Sequence, residues 1–467
     1  MARSFVLRVL PVLAAASVVA LGCAKKADNK TSTASTQVES KGWTGDFDGM
    51  LERRNIRVLA PYSRSLYFVE NGKVHGLTAD LAHDFETYLN QKHATELGGK
   101  PITVTLVPTT RDKLLPELVA GKGDIAGGNL TATPTRMQTA DFVAPTSQAP
   151  ANEVLVSGPG APAVMALDDL SGKKVNVRKS SSYFESLNTL NDQLRVGNKP
   201  PVQLVPMPDP LEDEDILDML NAGLFEFTVV DSWKAKLWAV TLPKIKVHEN
   251  IVLRSGGTIG WAIRKDSPKL HDELEGFYNV ASRQGLIEAR LSNYRKALSE
   301  TSKNSTGADR FSQTLTLFRR YGKQYSFDPL MLAAQGFQES QLNQAGAHDA
   351  SATAAKAPVA SGANLERNVQ AGTKYVDQLM SRYFPDAKFS DTDRTLFTFA
   401  SYKAGPEVIA QMRTEAASRG LDPNQWFNNV ELVAAEKLGT ETTVYVRNIY
   451  KYDVASELIA DTGGGER

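Results

Sequence analysis

Glu339 closes a run of small and apolar residues, Leu330-Met331-Leu332-Ala333-Ala334-Gln335-Gly336-Phe337-Gln338. Asp328 and Pro329 open that run as a helix, the aspartate as cap and the proline in the first turn. A carboxyl at the end of an apolar helix can be partly desolvated, which raises its pKa and lets it hold a proton near neutral pH. A general acid needs that proton; on composition alone a surface glutamate is the plainer reading. A second group of carboxylates, Glu212-Asp213-Glu214-Asp215, opens a helix over residues 211–220. It reads as a solvated first turn complementing the helix dipole, with a metal site as the alternative. The six histidines, His75, His83, His93, His248, His271 and His348, include no H-x-x-x-H pair. The single cysteine, Cys23, allows no intrachain disulfide and no thiolate zinc site. No metal and no cofactor are expected.

The elements that carry these groups belong to a chain of 467 residues, enough for two to four folding units at roughly 100–200 residues each. Lys plus Arg equals Asp plus Glu at 53 each. No global basic field exists to attract nucleic acid, so none is expected as a partner. The amino terminus reads as an address. Arg3 and Arg8 precede an apolar stretch over residues 9–21. That is too short to span a bilayer core of about 30 Å and suits a signal-peptide core. It ends in Val19-Ala20-Leu21-Gly22-Cys23, which resembles a lipoprotein lipobox, with the leucine one place closer to the cysteine than usual. The alternative is a secretory signal cleaved nearby. The resemblance implies lipidation of Cys23 after removal of residues 1–22, and Ala24 rather than Asp then implies the outer membrane, facing the periplasm. Residues 23–45, rich in Ser, Thr, Lys and Asn, read as a flexible tether.

Strand and helix patterns then alternate. Residues 56–60 read as a strand, and 76–90 as a helix with Leu77, Leu81, Phe85 and Leu89 on one face. A strand at 102–107, a helix at 114–120 and a strand at 124–126 follow. A second set comprises strands at 174–177 and 226–230 around the helix at 211–220, and 258–263 returns the chain to the first set. This is a doubly wound α/β pattern, with ligands expected at strand ends. Asn129-Leu130-Thr131-Ala132-Thr133-Pro134-Thr135-Arg136, then Ala140-Asp141-Phe142 and Pro145, resembles the bacterial extracellular solute-binding proteins. The resemblance implies a bilobal, periplasmic-binding-protein-like module over residues 46–285. Arg136 would grip a ligand carboxylate, in keeping with the planar fork of a guanidinium. Thr131 would add a hydrogen bond, Ser181 and Ser182 would line a turn, and Asp231 would take an amino group. The ligand implied is a small carboxylate, an amino acid or a muropeptide. Asn129 stands where amino-acid binders carry glycine; the alternative is a kept fold with another ligand or none.

After a linker at 286–308, residues 309–460 lose the strand pattern. Gln338-Glu339-Ser340-Gln341-Leu342-Asn343 resembles the glutamate–serine motif of family 1 lytic transglycosylases, and Ala400-Ser401-Tyr402-Lys403-Ala404-Gly405-Pro406 their Ala-Tyr-Asn-Ala-Gly motif. Asn368-Val369-Gln370-Ala371-Gly372 and Glu441-Thr442-Thr443-Val444-Tyr445-Val446 are similar to two further motifs in the same order. The resemblance implies an all-α, lysozyme-like domain acting on the glycan strands of peptidoglycan, with Glu339 as acid and then base. Ser340 and Lys403 fall at substrate-binding positions, Tyr445 would lie beside Glu339, and Tyr402 and Gly405 would shape the sugar groove. Lys403 replaces the family's asparagine, and residues 345–364 lack its Gly-Leu-Met-Gln-like segment. The alternative is therefore a catalytically degenerate lipoprotein that binds peptidoglycan or senses a solute.

Overall fold

The computed structural model describes residues 42–70, 73–145, 151–304 and 380–463. Cys23, Glu339, Ser340 and residues 345–364 lie outside them. Two five-stranded sheets organise the first module. In lobe 1, β1 (Asn55–Pro61), β4 (Thr103–Thr109), β5 (Ile125–Thr131), β6 (Ala140–Val143) and β12 (Ile259–Arg264) lie in the order β4-β1-β5-β12-β6. β1 is parallel to both neighbours, and β12 runs antiparallel to β5 and β6. A small hairpin, β2 (Phe68–Glu70) with β3 (Lys73–His75), sits beside it, and the short helices α1 (Phe47–Arg53), α3 (Ala94–Leu97) and α4 (Leu114–Val119) belong to the same lobe. In lobe 2, β7 (Ala151–Ser157), β8 (Lys174–Arg178), β9 (Gln203–Met207), β10 (Phe227–Asp231) and β11 (Lys246–Gly257) lie in the order β11-β7-β10-β8-β9. The chain leaves lobe 1 after β6 and returns at β12, as the alternating pattern at 258–263 implied.

Helical periodicity explains how the lobes close their cores. Leu77, Leu81, Phe85 and Leu89 of α2 (Leu77–Lys92) are buried, and Phe85 packs with Trp261 and Phe277. Burial of this kind stabilises by roughly 1.5–3 kcal/mol per large side chain. Phe277 lies on α8 (Pro268–Arg283), which starts with proline in its first turn. Residues read as the start of a linker form a helix, α9 (Leu286–Asn304). Its Arg290 makes a two-pronged bond to Asp84 on α2. Lobe 2 closes around α5 (Ser182–Val196), α6 (Asp213–Asn221) and α7 (Ser232–Ala239), with Leu187, Leu217, Phe227 and Leu237 fully inside.

The described part of the second module is helical: α10 (Asp391–Ala404), α11 (Pro406–Ser418), α12 (Glu431–Leu438) and α13 (Thr440–Gly463). Phe397, Trp426, Val433 and Val446 form its centre. That core does not stop at the module boundary, because Met207, Leu211, Ile216 and Met219 of lobe 2 belong to the same cluster. Ala435 of α12 packs with Tyr62, Tyr67 and Val69 of lobe 1. The helices therefore dock on both lobes at once.

The acid run at the start of α6 sits at the meeting point, and its reading as a solvated turn is corrected. Glu212, Asp213, Glu214 and Asp215 are all buried. Lobe 1 supplies Arg111 to Glu212 at 2.7 Å, and Ser63 donates to Glu214 at 2.7 Å. Lobe 2 supplies Arg178 and Lys234 to Asp213. The helical module supplies Lys451, 3.6 Å from Asp215 and 3.1 Å from Asp218. The dipole part of the reading stands, since Asp215 Oδ2 also accepts from the Glu212 backbone N–H at 3.1 Å. What failed is exposure: the neutralising cations come from distant sequence, so the run alone gives no sign of them.

Arg447 on α13 completes the dock. It grips Glu431, which is 0 % exposed, with two bonds of 2.5 and 3.0 Å. It donates to the Pro210 carbonyl of lobe 2 at 3.1 Å and covers the Tyr62 ring of lobe 1 at 4.9 Å. Arg447→Ala leaves a buried carboxylate uncompensated and should cost about 3–5 kcal/mol. Arg447→Ala combined with Glu431→Leu should recover part of that, because an apolar pair removes the stranded charge. Chemical denaturation of the two variants tests this; a loss below about 1 kcal/mol for Arg447→Ala would reject the dock as a major contributor.

Candidate functional site

The ends of β5, β8 and β10 face one another across the two lobes and enclose a small cavity. Its wall includes Asn129, Thr131 and Arg136 from lobe 1, and Ser181, Ser182 and Asp231 from lobe 2. All five ligand-site residues expected from the sequence thus come to one place. Asn129 adopts a left-handed backbone, φ 48°. Glycine takes that conformation without penalty, and asparagine is among the few other residues that tolerate it. The departure from glycine at this position therefore leaves the local left-handed backbone of β5 intact.

The side chains of Arg136, Ser181 and Asp231 are already engaged. Arg136 donates to the Thr131 carbonyl at 3.2 Å and, across the cleft, to the Ser180 carbonyl at 2.9 Å. Glu185 lies 3.5 Å from its Nε. Burial lowers the guanidinium's pKa, and Glu185 opposes that shift. Ser181 caps α5: its hydroxyl donates to the Arg178 carbonyl at 2.7 Å and accepts from the Phe184 N–H at 3.2 Å. Ser186 donates to the Glu153 carboxyl, which burial pushes above the usual range and the Ser182 and Ser186 hydroxyls pull back down. Asp231 accepts from the Tyr183 hydroxyl at 2.9 Å and lies 3.4 Å from Lys234. Burial pushes its carboxyl above the usual range, and its Oδ1 has no hydrogen-bond partner among the described residues.

The wall also includes Arg111, Tyr183 and Lys234, which sequence reasoning passed over, and Asp213, which it read only as part of a solvated acid run. Lys234 was legible in one respect, since it stands one helical turn after Asp231. Burial raises the Asp213 pKa, but Arg178, Lys234 and Arg111 together outweigh it and hold the carboxyl far below the usual range. The lobes are latched by further bonds: Ser63 to Glu214, Arg64 to Asp218 at 2.7 Å, and the Trp238 indole N–H to Ser65 at 3.1 Å. About 20 Å³ remains open. That is room for a water, not for an amino acid.

In the helical module, Tyr402 and Lys403 sit in the last turn of α10, and Gly405 joins it to α11. Gly405 has φ 95°, a left-handed value that lets the chain turn at once into Pro406, the first residue of α11. Tyr402 is 44 % exposed, whereas Tyr445 on α13 is buried. The two phenols are close enough to couple; burial first, and then Tyr402, push the Tyr445 hydroxyl above its usual range. Lys403 pairs with Glu441 at 3.6 Å, at the exposed start of α13. Tyr402, Lys403, Gly405 and Tyr445 therefore gather at the α10–α11–α13 corner. Ser340 and Glu339 lie outside the described residues. For a metal, one group among the described residues brings ligand atoms within 4.8 Å of one another: His271, Asp272 and Glu275, on α8. No described helix is long and apolar enough to cross a membrane.

Comparison with known proteins follows the same division. A protein named membrane-bound lytic murein transglycosylase F from Ectopseudomonas mendocina is 26% identical over 434 residues, covering 85% of this chain and 83% of its own. One of the same name from Shewanella pealeana is 25% identical over 382 residues, covering 78% and 74%. Among solved structures, an amino acid transporter substrate-binding protein from Streptococcus pneumoniae bound to L-arginine is 19% identical. It covers 54% of this chain and 98% of its own, with a TM-score of 0.44. An ancestral arginine-binding protein bound to arginine is 23% identical, covering 52% and 98%, with a TM-score of 0.42. Residues 58–297 match the bacterial extracellular solute-binding proteins, family 3. That is more than half of the 467 residues, and the chain belongs to this family.

Proposed function

We propose that the chain is a peptidoglycan lytic transglycosylase of the cell envelope, anchored through Cys23 as an outer-membrane lipoprotein and regulated or targeted by its solute-binding module. The observation that carries this reading is the 434-residue likeness to a protein named for that activity, which runs through both modules in one order. The quoted motifs around Glu339, Tyr402 and Tyr445 fall in the second half of this chain. Glu339 would protonate the glycosidic oxygen between N-acetylmuramic acid and N-acetylglucosamine. As a carboxylate it would then take the proton of the muramoyl 6-hydroxyl while that oxygen bonds to C1. The products are a 1,6-anhydro-muramoyl end and a free N-acetylglucosamine hydroxyl, with no water consumed and no second carboxylate needed. Tyr445 would orient Glu339, and Ser340, Tyr402, Lys403 and Gly405 would line the sugar groove.

The first module would take a carboxylate ligand at Arg136. Its opening would break bonds to the same acid run of α6 that Lys451 reaches from the helical module, which supports a regulatory rather than a transport role. A second reading, a degenerate domain that holds glycan strands without cutting them, is favoured by Lys403 and by the composition of residues 345–364.

Purified sacculi separate the two. The wild-type chain should release anhydro-muropeptides, and Glu339→Gln should lower that rate by roughly 10²–10⁴-fold, the usual contribution of a positioned acid–base group. No anhydro products from the wild type, with sacculus pull-down retained, selects the degenerate reading. For the first module, a muropeptide or other carboxylate should raise the melting temperature of the wild type, and Arg136→Ala should abolish that rise. Equal stabilisation of both would remove Arg136 from the ligand site.

A further inference from the structure

Lys234 is 4 % exposed, and its ammonium lies in the cleft. Nζ is 2.5 Å from Asp213 Oδ2, 3.4 Å from Asp231 Oδ2 and 3.3 Å from the Tyr183 hydroxyl. The Trp233 and Tyr183 rings stand 5.5 and 5.9 Å away. Two carboxylates, a phenol and aromatic faces around one primary ammonium make the set of partners that a ligand's amino group would use. We propose that Lys234 is a built-in ligand of the cleft: its ammonium fills the amino-group seat, so the module excludes free α-amino acids and leaves Arg136 to a carboxylate without a free α-ammonium. This rests on reading the cleft as a ligand site.

The placement of the groups makes the seal permanent rather than a feature of closure. Lys234, Asp231, Asp213 and Tyr183 all belong to lobe 2, on α7, β10, α6 and α5. Separating the lobes leaves them together. Arg136 is different, because its bond to the Ser180 carbonyl spans the lobes and breaks on opening. An open cleft thus presents a guanidinium released from Ser180, still held by the Thr131 carbonyl of its own lobe, and a filled ammonium site. An entering α-amino acid would have to displace a tethered ammonium already paired with two buried carboxylates.

The test uses the full chain, with melting temperature and calorimetric titration as readouts. Lys234→Ala removes the equivalent of n-propylammonium. The variant should lose stability and regain it with n-propylammonium chloride, but not with n-propanol or potassium chloride at equal concentration. It should also bind free alanine, glutamate or arginine at least about ten times more tightly than the wild type, a tenfold change being about 1.4 kcal/mol. Rescue no better than potassium chloride overturns the assignment, as does stabilisation of the wild type by any of these free amino acids. If Lys234→Ala does not fold, the wild-type titrations decide alone: no response to free amino acids upholds exclusion, and a response refutes it. An Arg136-dependent response to N-acetylated amino acids without ammonium rescue defeats the Lys234 assignment only. Loss of that response with rescue intact defeats the carboxylate reading of Arg136 instead.

Discussion

Four consecutive carboxylates can be buried at one helix end only if cations or hydrogen-bond donors meet each of them. Isolated charges of this kind would cost several kcal/mol each to desolvate, more than the attraction of a helix dipole returns. Glu212, Asp213 and Asp215 meet cations drawn from three parts of the molecule, while Glu214 takes the hydroxyls of Ser63 and Ser65 and burial pushes its carboxyl above the usual range. Arg111 comes from lobe 1, Arg178 and Lys234 from lobe 2, and Lys451 from the helical module. The start of α6 is consequently the junction on which lobe closure, cleft chemistry and module docking all depend.

That arrangement explains why apolar packing follows the same route. Ile216 and Met219, in the next turns of α6, enter the core of the helical module, while Leu217 and Leu220 face the core of lobe 2. The helix is hydrophobic on two sides beyond its charged first turn. A helix buried on two sides cannot show the single apolar stripe of a surface helix. The dock then rests on Arg447, whose guanidinium satisfies buried Glu431 and reaches both lobes.

The cleft shows the same economy of charge. Arg136 and Asp231 face a shared cavity, yet neither is idle: backbone carbonyls hold the first, and Tyr183 with Lys234 hold the second. Ser181, expected to line the turn, spends its hydroxyl on the cap of α5. Their residue types alone could not reveal this, because a group that binds a ligand and a group that is already satisfied look identical in a sequence.

Local pattern carried β1, β4, β5, β8, β10 and the return at β12, with α2, α4 and α6 between them, because hydrophobic periodicity is a property of neighbours in the chain; it left β6, β7, β9, β11, α5, α7 and α8 unread. The resemblance to the solute-binding proteins carried the approach of Thr131, Arg136 and Asp231 to a single place, and strand ends in such a fold converge. Tertiary structure alone decided whether the acid run met water or cations. It also decided that the segment after residue 285 is a helix packed on lobe 1, and that the helical module straddles both lobes. Partners more than two hundred residues apart, such as Asp218 and Lys451, are set by how cores pack. A charge in sequence states only what must be neutralised, not what will do it.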